Sequence, residues 1–195
     1  MTGVQTCALP ISYFYFDIRD TDKQSCRNLL SSLLIQLSSR SDPFRDVLSR
    51  LREAYDSGAS QPGDSALEQC LKEMLTLDRH SPVYLIMDAV DECPNEDGIQ
   101  SARAQVLNLI KYLIGLQLPS LHLCVTSRIA WDIGDSLGPL ASHSVSLHDA
   151  SGQRKDIAEY VRSAVRSQPI SASREWGDKE KELVIKTLSE RADGM

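Results

Sequence analysis

The residues best placed to do chemistry are three carboxylates in one short stretch, Asp88, Asp91 and Glu92, within VYLIMDAVDE at 83–92. Asp88 closes an apolar run, Val83 to Met87, that reads as a short buried strand, and Asp91 and Glu92 follow within one turn. Acids at the carboxyl end of such a strand stand where open α/β sheets place their ligands. Grouped carboxylates there suit a hard cation such as Mg²⁺, which takes oxygen ligands and usually bridges to substrate phosphates.

The remaining reactive residue types point nowhere comparable. Cys93 adjoins the acids, but no histidine sits near it in sequence to serve as its base. His80, His122, His143 and His148 are too dispersed for a metal site. The cysteines (Cys7, Cys26, Cys70, Cys93, Cys124) are odd in number and never spaced Cys-x-x-Cys, which gives neither a zinc site nor a disulfide framework. Reduced thiols in a cytoplasmic protein are the plain reading. Trp131 and Trp176 read as packing residues. A net charge of −6 argues against a nucleic-acid partner, because phosphate neutralisation needs a basic surface. No apolar run approaches the roughly 18 to 20 residues that cross a bilayer, so no membrane is expected. With 195 residues, 42% hydrophobic and 25% charged, the chain has material for one domain with a sizeable core.

The elements that must position the acids follow from periodicity. Tyr13 to Ile18 (YFYFDI) is aromatic-rich and β-prone. Thr21 or Asp22 is expected to cap a helix carrying Leu29, Leu30, Leu33, Leu34 and Leu37 at helical spacing. Ser41-Asp42-Pro43 breaks it and starts another, with Val47, Leu48, Leu51 and Tyr55 on one face. The loop Asp56 to Asp64 precedes a third helix, about Ser65 to Leu77, and His80-Ser81-Pro82 turns the chain into the Val83 strand. Beyond the acids, a polar loop leads to a helix marked by Val106, Leu107, Ile110, Leu113 and Ile114. A strand is expected at Leu121 to Val125, ending in Thr126-Ser127-Arg128, and another at Ser144 to Leu147. Two helices close the chain: Gln153 to Arg166, with Ile157, Tyr160, Val161, Ala164 and Val165 on one side, and Asp178 to Ala192, presenting Leu183, Val184 and Leu188. Strands alternating with helices imply an α/β fold with a mostly parallel sheet covered on both faces.

Three segments carry a family resemblance: YFYFDIRDTD at 13–22, YLIMDAVDEC at 84–93, and LHLCVTSR at 121–128. The second has the form of an extended Walker B box: apolar run, Asp, small residue, apolar residue, Asp-Glu. Together they resemble the middle of a NACHT domain, a signal-transducing P-loop NTPase of the STAND group, in the form found in fungal NLR-like proteins. Other ATPases of the AAA+ or RecA-like kind share the Walker B logic, but the small residue after Asp88 and the Asp-Glu pair favour NACHT. The resemblance implies that Asp88 holds Mg²⁺, usually through water, and that Asp91 or Glu92 orients or deprotonates an attacking water. It implies that Arg128 is a sensor reading a γ-phosphate of bound ATP or GTP. It further implies self-oligomerisation of the intact parent and a role in innate-immune signalling.

The glycine-rich phosphate loop that partners a Walker B box is missing. The sequence contains no Gly-Lys-Ser or Gly-Lys-Thr. In the strand order of the resembled family, 5-1-4-3-2, this amounts to a partial P-loop NTPase fold lacking its central first strand, beside the strand ending at Ser127. Residues 13–150 read as the partial NTPase core and 151–195 as the start of the helical region that follows. Thr2 to Ile11 (TGVQTCALPI) resembles the translation of a common sequencing adapter, so 1–12 reads as an artefactual or disordered tail. The expectation is a fragment carrying the metal-and-water half of a nucleotide site, with no cofactor bound by this piece. The alternative is a non-catalytic module that binds a protein through an open sheet edge.

Overall fold

The computed structural model describes residues 11–55, 60–77, 81–96, 101–146, 151–167 and 177–191. The chain divides between Ala141 and Ser142 into two compact units. The first is an α/β unit with three parallel strands, β1 (Ile11–Tyr15), β2 (Val83–Asp88) and β3 (Leu121–Val125), in the order β1-β2-β3. Between β1 and β2 run α1 (Cys26–Ser38), α2 (Asp42–Ala54) and α3 (Asp64–Leu77). Between β2 and β3 runs α4 (Ala102–Gly115), and α5 (Trp131–Leu137) follows β3.

The core forms where the periodicity says it should. α1 buries Leu29, Leu30, Leu33, Leu34 and Leu37, and packs against β1, α2, α3 and α4. Leu71, Met74 and Leu75 of α3 join Leu85 and Met87 of β2 and Val106, Ile110 and Leu113 of α4 in the same cluster. This leucine-dominated block is what fixes the sheet.

Register shows how the faces divide. Ser12 pairs with Leu85 and Phe14 with Met87, and these in turn pair with Leu123 and Val125, all on the core side. The opposite side carries Ile11, Tyr13 and Tyr15, which are exposed, with Tyr84 stacked on His122 at 4.7 Å between ring centroids. One face is thus sealed and the other wetter than a two-sided covering would leave it.

Several expectations shift. The first strand starts two residues earlier than Tyr13 and stops at Tyr15, because pairing with Tyr84 to Asp88 sets its span and the aromatic run does not. Ile11 and Ser12 therefore belong to the strand. The first helix is capped by Ser25, whose side chain accepts from the Asn28 N–H, while Asp20 caps a short 3₁₀ turn at Thr21–Lys23. Thr21 and Asp22 cap neither. Ser144 to Ser146 form no strand: Val145 is 81% exposed, and an alternating pattern without a neighbour strand has no ladder to join. Leu147 lies outside the described residues, as do Cys7, His80, His148 and Trp176. Trp131 is 79% exposed, so it does not pack; α5 buries Ile133 instead.

The second unit holds α6 (Ser151–Ser167) and α7 (Asp178–Arg191), packed on each other and joined by an Arg166–Glu182 ion pair at 2.7 Å. Ile157, Val161, Ala164 and Val165 are half-buried on α6, but Tyr160 is exposed. On α7, Leu183 and Leu188 are exposed and Ile185 is the buried residue, one position away from the expected stripe. Among the described residues no helix is long and apolar enough to cross a membrane.

Candidate functional site

Parallel β2 and β3 end at the same edge, so Asp88 and the segment Thr126–Arg128 meet there although 38 residues separate Asp88 from Thr126. Asp88 is the last residue of β2 and is exposed. The Thr126 hydroxyl donates to its Oδ1 and accepts from the Ala89 N–H at 3.0 Å. Backbone bonds Thr126 N–H to Met87 O and Val90 N–H to Thr126 O, both 3.0 Å, continue the zip past the formal end of the strands.

At Ala89 the chain enters the left-handed region, φ 56° and ψ 46°, and turns sharply into a 3₁₀ turn, Val90–Glu92. A β-branched or bulky side chain is disfavoured in that conformation, which gives the small residue after Asp88 a backbone reason. Val90 then drops into the core, leaving Asp91 and Glu92 to point along the edge.

Arg128 meets both. Its backbone N–H donates to Asp91 Oδ1 at 2.8 Å and its Nε to Asp91 Oδ2 at 2.6 Å, while Nη2 lies 3.7 Å from Glu92 Oε1. Glu92 Oε2 also accepts from the Ile18 N–H at 3.2 Å, tying the loop to the exit of β1. Burial pushes the Asp91 carboxyl up, but the two hydrogen bonds from Arg128 and its charge outweigh that and leave it below the ordinary 3.8. The same contact raises Arg128 above its usual value.

Sequence reasoning missed Arg103 of α4, which holds the loop from behind. Its Nε donates to Cys93 O at 2.9 Å and its Nη2 to Asp91 O at 2.5 Å, and it pairs with Asp132 of α5 at 3.3 Å. Asn95 donates to the same Asp132 carboxylate and accepts from Ser101. Only the Arg in ARAQVL at 102–107, half a turn into a helix that starts beyond a polar loop, hinted at it. Cys93 is fully buried, its thiol donates to Gln24 O at 3.3 Å, and burial pushes it up to about 11. A neutral, sealed thiol has no role as a nucleophile.

Among the described residues no three His, Cys, Asp or Glu side chains converge on a point that could hold a metal ion. Asp91 and Glu92 spend their oxygens on Arg128 and the Ile18 N–H, leaving Asp88 as the carboxylate facing solvent. That donor set does not form a cation site of its own. It fits a single carboxylate acting through water on a cation that arrives with its own phosphate ligands.

Fold and site together define an α/β protein whose open parallel sheet carries an acidic carboxyl edge braced by two arginines. The model of the nephrocystin 3 N-terminal family matches residues 3–128, more than half of the chain, and the chain belongs to that family. The matched span closes at Arg128 and takes in the three strands and the whole acidic edge. No curated protein and no solved structure matches the chain.

Proposed function

We propose that this chain is part of a nucleotide-dependent signalling NTPase of the NACHT type, contributing Asp88, Asp91, Glu92 and Arg128 to a site for ATP or GTP. The observation that carries the reading is the junction of those four residues at one carboxyl edge, on adjacent parallel strands. The strand order supports it too. β1-β2-β3 corresponds to the 2-3-4 stretch of the order 5-1-4-3-2, and the flank of β3 that meets no strand among the described residues is where that order puts strand 1 and its phosphate loop.

In this reading Asp88 holds Mg²⁺ through water, and the cation's contribution when bound is to neutralise phosphate charge. Asp91 is committed to Arg128 by both oxygens, so Glu92, with the longer 3.7 Å contact, is the acid freer to orient water. Arg128, 77% exposed, keeps Nη donors available for a phosphate oxygen. The sequence holds no phosphate loop, so this piece grips no nucleotide tightly, and the parent works as a switch of the NLR-like kind in the cytoplasm.

Sequencing the transcript upstream of the Tyr13 codon tests the reading. An in-frame glycine-rich loop ending in Lys-Ser or Lys-Thr is expected; a natural start at Met1 would overturn it. Titration of the isolated chain with Mg-ATP should show no micromolar binding. A second reading, a non-catalytic module that pairs through its sheet edge, is favoured by β3, whose outer flank meets no strand among the described residues.

A further inference from the structure

A long polar side chain reaching out of a helix can hold main chain in place, and this fold uses the device twice. Gln36 of α1 takes both peptide groups of Tyr13 on β1: the Tyr13 N–H donates to its Oε1 at 3.0 Å, and the Tyr13 C=O accepts from its Nε2 at 2.7 Å. Arg103 of α4 takes the carbonyls of Asp91 and Cys93 and then reaches a third group, the Asp132 carboxylate of α5.

That third contact closes a ring. Asp91 binds the segment Arg128 to Asp132 at its start, where its carboxylate receives the Arg128 N–H and Nε. It binds the same segment at its end, where its carbonyl is joined through Arg103 to Asp132. Core packing contributes little in between: Ala130 packs against the core with one methyl, while Ile129 and Trp131 are exposed. Polar bonds therefore fix this stretch.

Asp132 is held for this role by more than its charge. A single oxygen, Oδ2, receives both Arg103 Nη1 at 3.3 Å and Asn95 Nδ2 at 3.2 Å. Asn95 is oriented in turn by Ser101, whose hydroxyl donates to its Oδ1 at 2.7 Å and accepts the Ala104 N–H at the start of α4. An acid in the first turn of α5 would serve the helix equally well facing water. Here it turns inward, and both it and Arg103 are largely buried, so solvent screens their contact little.

We propose that Asp132 is a positioning residue of the acidic edge: through Arg103 it holds the Asp91 turn and the segment leaving Arg128 as one unit, so that the Asp91–Arg128 contact is set from α5. The purpose of this coupling rests on the nucleotide reading, in which displacement of α5 loosens the acid from the sensor arginine and a phosphate drawing Arg128 away pulls on α5. The coupling itself is measured without nucleotide. A transcript that starts at Met1 would refute the reading and leave the coupling; a failed coupling would leave the reading.

Carboxyl NMR titration of the full chain reads the contact at Asp91, which burial raises and the bonds from Arg128 bring below 3.8. Charge and geometry predict opposite signs for Asp132→Ala. Removing a nearby negative charge, with Arg103 left unneutralised, favours the Asp91 carboxylate and lowers its midpoint. Losing the tether loosens the bonds from Arg128 and raises it, and a rise of about 0.5 is expected. Asp132→Asn is equally uncharged but keeps one oxygen for both donors, so it should return the midpoint to the unsubstituted value or below. Should Asp132→Ala fail to fold, Arg103→Lys reads the ring from its other side: it keeps the positive charge, loses the fork, and should again raise the midpoint. A midpoint that falls or stays put in a folded Asp132→Ala, an Asn variant that behaves like the Ala variant, or an Arg103→Lys midpoint that does not move would each overturn the proposal.

Discussion

Arg128 grips Asp91 with two of its own donors, one from the backbone and one from the guanidinium, so each carboxylate oxygen receives one hydrogen bond. The side chain expected to sense a phosphate is therefore also the one that positions an acid expected to serve hydrolysis. A phosphate drawing the guanidinium away would weaken the Nε bond but leave the bond from the backbone N–H.

That geometry has a pH signature. Asp91 titrates below 3.8 in the folded chain, so its contribution to stability is complete above the ordinary carboxylate range and is lost as the pH falls through its folded value. Carboxyl NMR titration should give Asp91 a midpoint below 3.8, and Arg128→Ala should move that midpoint upward. A midpoint unchanged by Arg128→Ala would show that the ion pair is not what depresses it.

Arg103 should matter more to folding than Arg128. Its side chain and that of Asp132 are each 15% exposed, and Arg103→Ala would leave the Asp91 and Cys93 carbonyls and the Asp132 carboxylate short of a donor. Urea denaturation should register a loss of about 2–3 kcal/mol. Arg103→Lys should recover only part of it, because one ammonium cannot serve three acceptors set for a planar fork.

Ser12 is a misfit in a sealed layer. It is fully buried against the core side of β1, and its hydroxyl has no hydrogen-bond partner among the described residues. Ser12→Ala should stabilise the chain by about 1 kcal/mol, seen as a higher thermal midpoint. A lower midpoint would mean that the hydroxyl has a partner after all.

The thiols should react in a fixed order. Cys124 is exposed on the wetter face of the sheet, whereas burial pushes Cys26 to about 12 and Cys70 and Cys93 to about 11. At neutral pH iodoacetamide should label Cys124 first among these four and reach the others only on denaturation, as read by peptide mass mapping.

How much of this was legible in the sequence depended on what kind of interaction decided each feature. β2 was legible because a continuous apolar run bounded by turn residues leaves few alternatives, β3 because a short apolar-rich segment lies between Pro119-Ser120 and Thr126-Ser127, and α1 because five leucines repeat at helical spacing. Parallel neighbours with a shared carboxyl edge then made the meeting of Asp88, Asp91, Glu92 and Arg128 foreseeable. Details set by pairing were not. The start of β1 depends on where β2 begins, and the cap at Ser25 had to be chosen among several capable side chains within five residues. Arg103 stayed hidden because its partners are carbonyls, which every residue possesses and no sequence pattern marks. Trp131 and the Ser144 segment misled for a common reason: a large or alternating apolar pattern reports burial only when something lies opposite it.

The Gln36 carboxamide bound to Tyr13 has a consequence for growth. A sheet with two free flanks is a monomer unit for a fibre, able to add copies at either end without limit. With the Tyr13 peptide groups occupied, addition at the β1 flank is blocked at its centre. Gln36 thereby acts as a stopper, denying an incoming strand the two peptide groups it would need on that side.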